Sequence, residues 1–132
     1  MTPLLEVVSW SVVLGLAQLL IATLFMVHQR GLRWALGPRD APVAPLVGIA
    51  GRLERSVRNF LETFGLFLAA AWLAQSSGRT PGIVLLGAEL YLWGRILYVP
   101  LYASGVPVVR TVAWAAATVG IVLILIGATL AG

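Results

Sequence analysis

Apolar positions along this chain gather into four long runs, at residues 4–27, 57–75, 83–102 and 108–130. Each approaches the roughly 20 residues that a helix needs to cross the hydrocarbon core of a bilayer. The connectors between them are short or rich in breakers. Residues 28–56 form a long first loop containing Gly37-Pro38, Pro42 and Pro45. Residues 76–82 make a short turn, and residues 103–107 make another that carries Gly105 and Pro107. The pattern predicts an all-α chain, with residues 1–132 forming a single transmembrane domain built as an integral membrane four-helix bundle.

Two of the runs are not apolar all the way round. At 100° per residue, Arg55, Asn59 and Glu62 fall within about 60° of one another, and Arg58 widens the stripe to about 100°. In the third run, Arg95, Tyr98 and Tyr102 recur at i, i+3 and i+7, with Tyr91 one turn earlier on the same face. The short turn at 76–82 makes these two helices antiparallel neighbours. The start of the second run and the end of the third therefore share one side, where Arg110 joins them from the start of the fourth. Ionisable groups at membrane depth almost always face a bundle interior or a wet cavity. Glu54 and Glu62 are too few to balance the arginines there, so a negatively charged ligand is expected between the two stripes.

Composition agrees with a membrane setting. The chain is 60% hydrophobic and 11% charged, with a mean hydropathy of +0.96, far from the quarter or so of charged residues in soluble domains. Its net charge of +4 comes from arginine alone. Because those arginines sit beside apolar spans, nucleic-acid binding is a poor explanation. Cysteine is absent, which removes disulfides, thiolate metal sites and a cysteine nucleophile. His28 stands alone at a loop boundary, and no metal site is proposed.

Thr2, Pro3 and Glu6 stand where a signal peptide would be basic, so the first run reads as a retained helix. Arg30, Arg33, Arg39, Arg52, Arg55 and Arg58 lie in or beside the first loop, against Arg79 in the second. The positive-inside rule then puts the first and third loops in the cytoplasm and both termini outside. Trp34, Trp93, Trp114 and the tyrosines read as interfacial anchors. Gly15, Gly65, Gly87, Gly94 and Gly120 read as close helix contacts, and Gln18 as an interhelical hydrogen bond. Glu89 is about 120° off the Arg95 stripe and reads as a helix–helix or interface partner.

The motifs Arg55-x-x-Arg58-Asn59-x-x-Glu62-Thr63-Phe64, Arg95-x-x-Tyr98-x-x-x-Tyr102 and Pro107-x-x-Arg110 resemble those of the MAPEG family, the membrane-associated proteins of eicosanoid and glutathione metabolism. The likeness extends over essentially the whole chain, and the turn from Tyr102 to Pro107 is more similar to bacterial members than to the specialised animal synthases. It implies a homotrimer in a bacterial inner membrane, in contact with membrane lipids and a lipophilic small-molecule substrate. Glutathione is the implied cosubstrate, bound between neighbouring protomers near the cytoplasmic side.

By the same resemblance Arg55, Arg58 and Asn59 hold the tripeptide and Glu62 takes its ammonium group. Arg95, Tyr98 and Tyr102 close the site, Arg30 reaches the ligand across the trimer interface, and Arg110 faces the sulfur. Two positions depart from relatives. Val57 stands where some members offer a polar side chain, and Gly31 where some leukotriene-forming members carry a second arginine.

The implied chemistry is a transferase or peroxidase reaction through a glutathione thiolate. Guanidinium groups bind carboxylates as planar forks, and a thiol beside a cation ionises more readily. The alternative reading is a non-catalytic membrane protein binding a lipid or another anionic ligand in the same arginine-lined cleft. A plainer reading takes Arg55 and Arg58 as cytoplasmic anchors. Glu54–Arg58 and Arg58–Glu62 are also i, i+4 pairs able to neutralise one another.

Overall fold

The structure is a computed structural model that describes residues 1–78 and 81–130. Five helices follow one another: α1 (Pro3–Arg30), α2 (Leu32–Leu36), α3 (Gly48–Ser76), α4 (Gly82–Ala103) and α5 (Pro107–Thr129). Four are long: α1, α4 and α5 coincide with apolar runs, and α3 contains the second run and extends ahead of it. The fifth, α2, is a single turn inside the first loop. Gly31, at φ 90°, ends α1, and Trp34 then stacks under the guanidinium groups of Arg30 and Arg39, 4.7 and 5.3 Å from its ring centre. Arg79, expected in the second loop, lies outside the described residues.

α1, α4 and α5 are long and apolar enough to cross a membrane. α3, the second expected span, is not among them. It begins at Gly48 rather than at residue 57, and its first half carries Arg52, Glu54, Arg55, Arg58 and Glu62. Those charges share the helix with a buried stripe of Ala50, Leu53, Ser56 and Phe60. α3 is therefore amphipathic where the sequence suggested loop, and apolar only beyond.

The packing order follows from which stripes are buried. α1 buries only Leu4, Val7, Ser11 and Gln18, one face of the helix, and turns the rest outward. A hydrogen bond of 3.1 Å between Thr2 and Gln75 joins its start to the end of α3, and Arg52 donates to the carbonyl of Ala103 at 3.2 Å. α3 thus runs antiparallel to both α1 and α4.

The closest pair is α4 and α5, and small residues are the reason. A Cβ on Gly87 would come 2.5 Å from the carbonyl oxygen of Gly120, and one on Gly94 would come 2.8 Å from that of Ala113. Lipid is as apolar as a leucine side chain, so close backbone approach of this kind, rather than water exclusion, drives helices together in a bilayer. Gly15 meets the Phe60 ring in the same way. Gly65 meets nothing within 4 Å, so it marks no contact within the protomer.

The core between α3 and α4 is aromatic. Tyr91 is fully buried and stacks on Phe67 with ring centres 4.1 Å apart and planes 8° off parallel. Its hydroxyl lies 3.2 Å from that of Thr63. Tyr91 and Tyr98 are thus core residues, not interfacial anchors. Gln18 bonds the carbonyl of Leu14 in its own helix at 3.5 Å and not a neighbouring helix. Glu89 accepts the Trp93 indole N–H at 2.9 Å, again within one helix.

Candidate functional site

Three helices converge where α3 begins, α4 ends and α5 starts. α4 and α5 are joined by the turn at Ser104 and Gly105, where φ is +78° at the glycine. The Cδ-bearing ring of Pro107 occupies the first turn of α5, where no N–H is needed. That turn brings Arg110 back against Tyr102, with the guanidinium carbon 4.5 Å from the ring centre. From α3, Arg55 Nε donates to the Tyr102 hydroxyl at 3.1 Å. The Tyr102 ring lies 5.4 Å from that of Tyr98. One tyrosine is thus held between two arginines drawn from α3 and α5.

Deeper in, Arg95 is 0% exposed. Its Nη1 donates to Asn59 Oδ1 at 2.8 Å, and its guanidinium packs 4.2 Å from the Tyr98 ring centre and 5.4 Å from that of Phe60. Among the described residues, its Nε and Nη2 have no hydrogen-bond partner. A buried ionised group without a carboxylate is costly, and the two aromatic faces offset part of that cost.

A cleft of about 230 Å³ opens beside these residues, lined by Asn59, Tyr98, Tyr102, Arg110, Thr111 and Trp114. Its polar wall presents an amide, two phenols, a guanidinium and a hydroxyl. The only formal charge on that wall is positive, so the cleft suits an anion or a strong hydrogen-bond acceptor. Among the described residues, Arg58 and Glu62 take part in no hydrogen bond or ion pair. Both are exposed on α3, one position before and three positions after Asn59, which lines the cleft. Glu62 lies within electrostatic reach of Arg95 and Tyr98. The i, i+4 pairs Glu54–Arg58 and Arg58–Glu62 are accordingly not closed among the described residues, and these charges are not spent on one another.

The fold thus brings Arg55, Asn59, Arg95, Tyr98, Tyr102 and Arg110 into one network, with Glu62 within electrostatic reach of it and Arg58 exposed on the same helix. Arg30 is not part of it. It donates to the carbonyl of Ala44 at 3.3 Å and covers Trp34, which ties down the first loop. Val57 turns away from the cleft toward α1, beside Leu19, Ala22 and Met26.

Three contributors escaped the sequence reading. Thr111 and Trp114 line the cleft; from the sequence Trp114 reads as an interfacial anchor, and only the offsets of one and four residues past Arg110 point either residue toward the site. Arg52 braces the entrance through Ala103, but its partner is a main-chain carbonyl, which no side-chain pattern announces.

Two comparisons bear on this geometry. The family model described as MAPEG family matches residues 7–130, nearly the whole chain. No curated protein matches the chain.

Proposed function

The chain belongs to the MAPEG family, and from that premise we propose that it is a membrane-embedded glutathione-dependent enzyme acting on lipophilic electrophiles or lipid hydroperoxides. The observation that carries this reading is the unspent charge around one cleft. Arg110 faces it, Arg55 adjoins it through Tyr102, and Arg58 and Glu62, on the same helix as the cleft-lining Asn59, have no partners among the described residues. Glutathione has two carboxylates, one ammonium group and one thiol. Two guanidinium groups and one carboxylate are the complement of the first three.

In this account Arg55 and Arg58 hold carboxylates and Glu62 holds the ammonium group. Tyr98 and Tyr102 flank the bound tripeptide, and Arg110 stands by the sulfur. The thiol proton leaves to solvent as the cation favours the thiolate. Arg110 lies in the first turn of α5, where unsatisfied backbone N–H groups also favour an anion. The thiolate then attacks an electrophilic carbon, forming the S–C bond as the leaving group departs with its electron pair. With a hydroperoxide, the sulfur attacks the terminal oxygen and the O–O bond breaks. That gives an alcohol and a sulfenic acid, which a second glutathione converts to disulfide and water. The apolar partner would arrive laterally from the bilayer.

We place the site at the cytoplasmic face, with both termini outside, on the strength of the arginine distribution, and the membrane as a bacterial inner membrane on the likeness of the Tyr102–Pro107 turn to bacterial members. A homotrimer would give Arg30 of one protomer access to the ligand of the next, a role it does not have within one protomer. α3, which carries the charged stripe, would cross the membrane by burying that stripe between protomers.

Purified protein in liposomes tests the reading. Glutathione supplied with an aryl halide or a fatty-acid hydroperoxide should be consumed at a rate proportional to protein and saturable in glutathione. Saturable glutathione binding without turnover of either substrate class would instead identify a binding protein.

A further inference from the structure

We infer that Arg95 is a positioning residue: it fixes the Asn59 amide so that its N–H₂ group faces the cleft, and thereby makes that corner a subsite for a hydrogen-bond acceptor of the ligand. The inference deepens the reading above and rests on it only for the identity of the ligand.

A guanidinium group has five N–H donors and no acceptor. The Asn59 atom that meets Arg95 Nη1 at 2.8 Å must therefore be the carbonyl oxygen, so the amide orientation follows from chemistry and does not depend on how the two similar atoms were assigned. Oδ1 and Nδ2 diverge from one carbon. With Oδ1 turned inward to a fully buried guanidinium, Nδ2 is turned outward. Asn59 lines the cleft, is half-buried, and gives Nδ2 no protein partner among the described residues. Two donors are thus presented to the cleft beside Tyr98, Tyr102 and Arg110.

Arg95 itself does not reach that space. It is 0% exposed, sandwiched between Phe60 and Tyr98, and absent from the cleft lining. It therefore acts through Asn59. A ligand carbonyl or carboxylate suits the corner, whereas an ammonium group does not. In glutathione terms, an amide carbonyl or carboxylate belongs at Asn59, and the ammonium end belongs toward Glu62.

The test separates positioning from scaffolding. Arg95→Met keeps the volume and removes a buried charge with two unpartnered nitrogens, a change that is often neutral or stabilising. The variant should melt at or above the wild-type temperature, yet lose about tenfold in glutathione affinity. Asn59→Ala should cause a similar loss, and the double variant no more than either alone. Arg95→Lys, which keeps one donor and the charge, should recover part of the affinity.

A second readout needs no ligand. Asn59 is the only asparagine in the chain, so ¹⁵N-asparagine labelling gives one side-chain amide to follow by NMR. Its two protons should give sharp, resolved signals in the wild type and broaden or merge in Arg95→Met. Identical amide signals in the two proteins overturn the inference. So do additive losses in the double variant, which would mean that Arg95 touches the ligand directly, and so does undiminished affinity in Arg95→Met. If wild-type protein binds no glutathione, the functional reading fails, and the amide signals still decide the role of Arg95.

Discussion

Arg110→Ala will lower glutathione-dependent turnover by about 10²- to 10³-fold and will change glutathione affinity by less than about threefold. The asymmetry follows from where the guanidinium lies. It stacks on Tyr102 at 4.5 Å and lines the cleft from α5, while Arg55, Asn59 and Glu62 lie on α3. The arginine proposed to face sulfur and the groups proposed to hold the peptide thus come from different helices. In the proposed arrangement Arg110 meets only the sulfur, whereas both carboxylates and the ammonium group are held from α3, so its loss costs reactivity more than binding. The proportion of thiolate can be read separately, from the ultraviolet absorbance of the bound ligand, and should fall in the variant along with turnover. Unchanged turnover in Arg110→Ala would remove the catalytic role assigned to it.

Gly120→Val will prevent α4 and α5 from packing, and either no folded protein or a drop in melting temperature of about 10 °C or more is expected. A Cβ at Gly120 would press into the carbonyl oxygen of Gly87 and would lie 2.8 Å from the backbone nitrogen of Tyr91. Both are main-chain atoms of α4, which no rotamer change can move aside. The damage extends to the cleft, because Arg110 depends on the same helix pair for its place over Tyr102. Gly65→Ala is the matching control. Nothing lies within 4 Å of a Cβ there, and alanine favours helix over glycine, so the protomer fold should tolerate it. Thermal unfolding in detergent compares the two.

Much of this molecule can be read from its apolar runs, because three of its long helices have no other way to satisfy their surfaces. α4 was expected at 83–102 and runs Gly82–Ala103. α5 was expected at 108–130 and runs Pro107–Thr129. α3 was the difficult case. Its first nine residues read as loop in the sequence, because Arg52, Glu54 and Arg55 interrupt any apolar window. The helix forms there anyway because Ala50, Leu53 and Ser56 recur at helical spacing on its buried side.

The cluster on α3 and α4 was legible from spacing alone, since residues three, four and seven apart share a face whatever the fold around them. Depth was not legible. Periodicity placed Arg95, Tyr98 and Tyr102 on one stripe, but it could not tell that Arg95 is sealed inside the protomer while Tyr102 borders the cleft. Arg30 shows the same limit from the other side, since its partners Ala44 and Trp34 depend on the path of the first loop.

The central claim is that the cleft between α3, α4 and α5 binds glutathione through its arginines. Calorimetric titration of glutathione into detergent-purified protein, for the wild type and for Arg55→Ala, tests it most directly. Arg55 supports Tyr102 at 3.1 Å and stands on the exposed side of α3, so its loss should leave the fold intact. The account predicts saturable binding by the wild type, weakened about ten- to a hundredfold in the variant. No saturable heat from the wild type up to roughly millimolar glutathione, or equal binding by the two proteins, would contradict it.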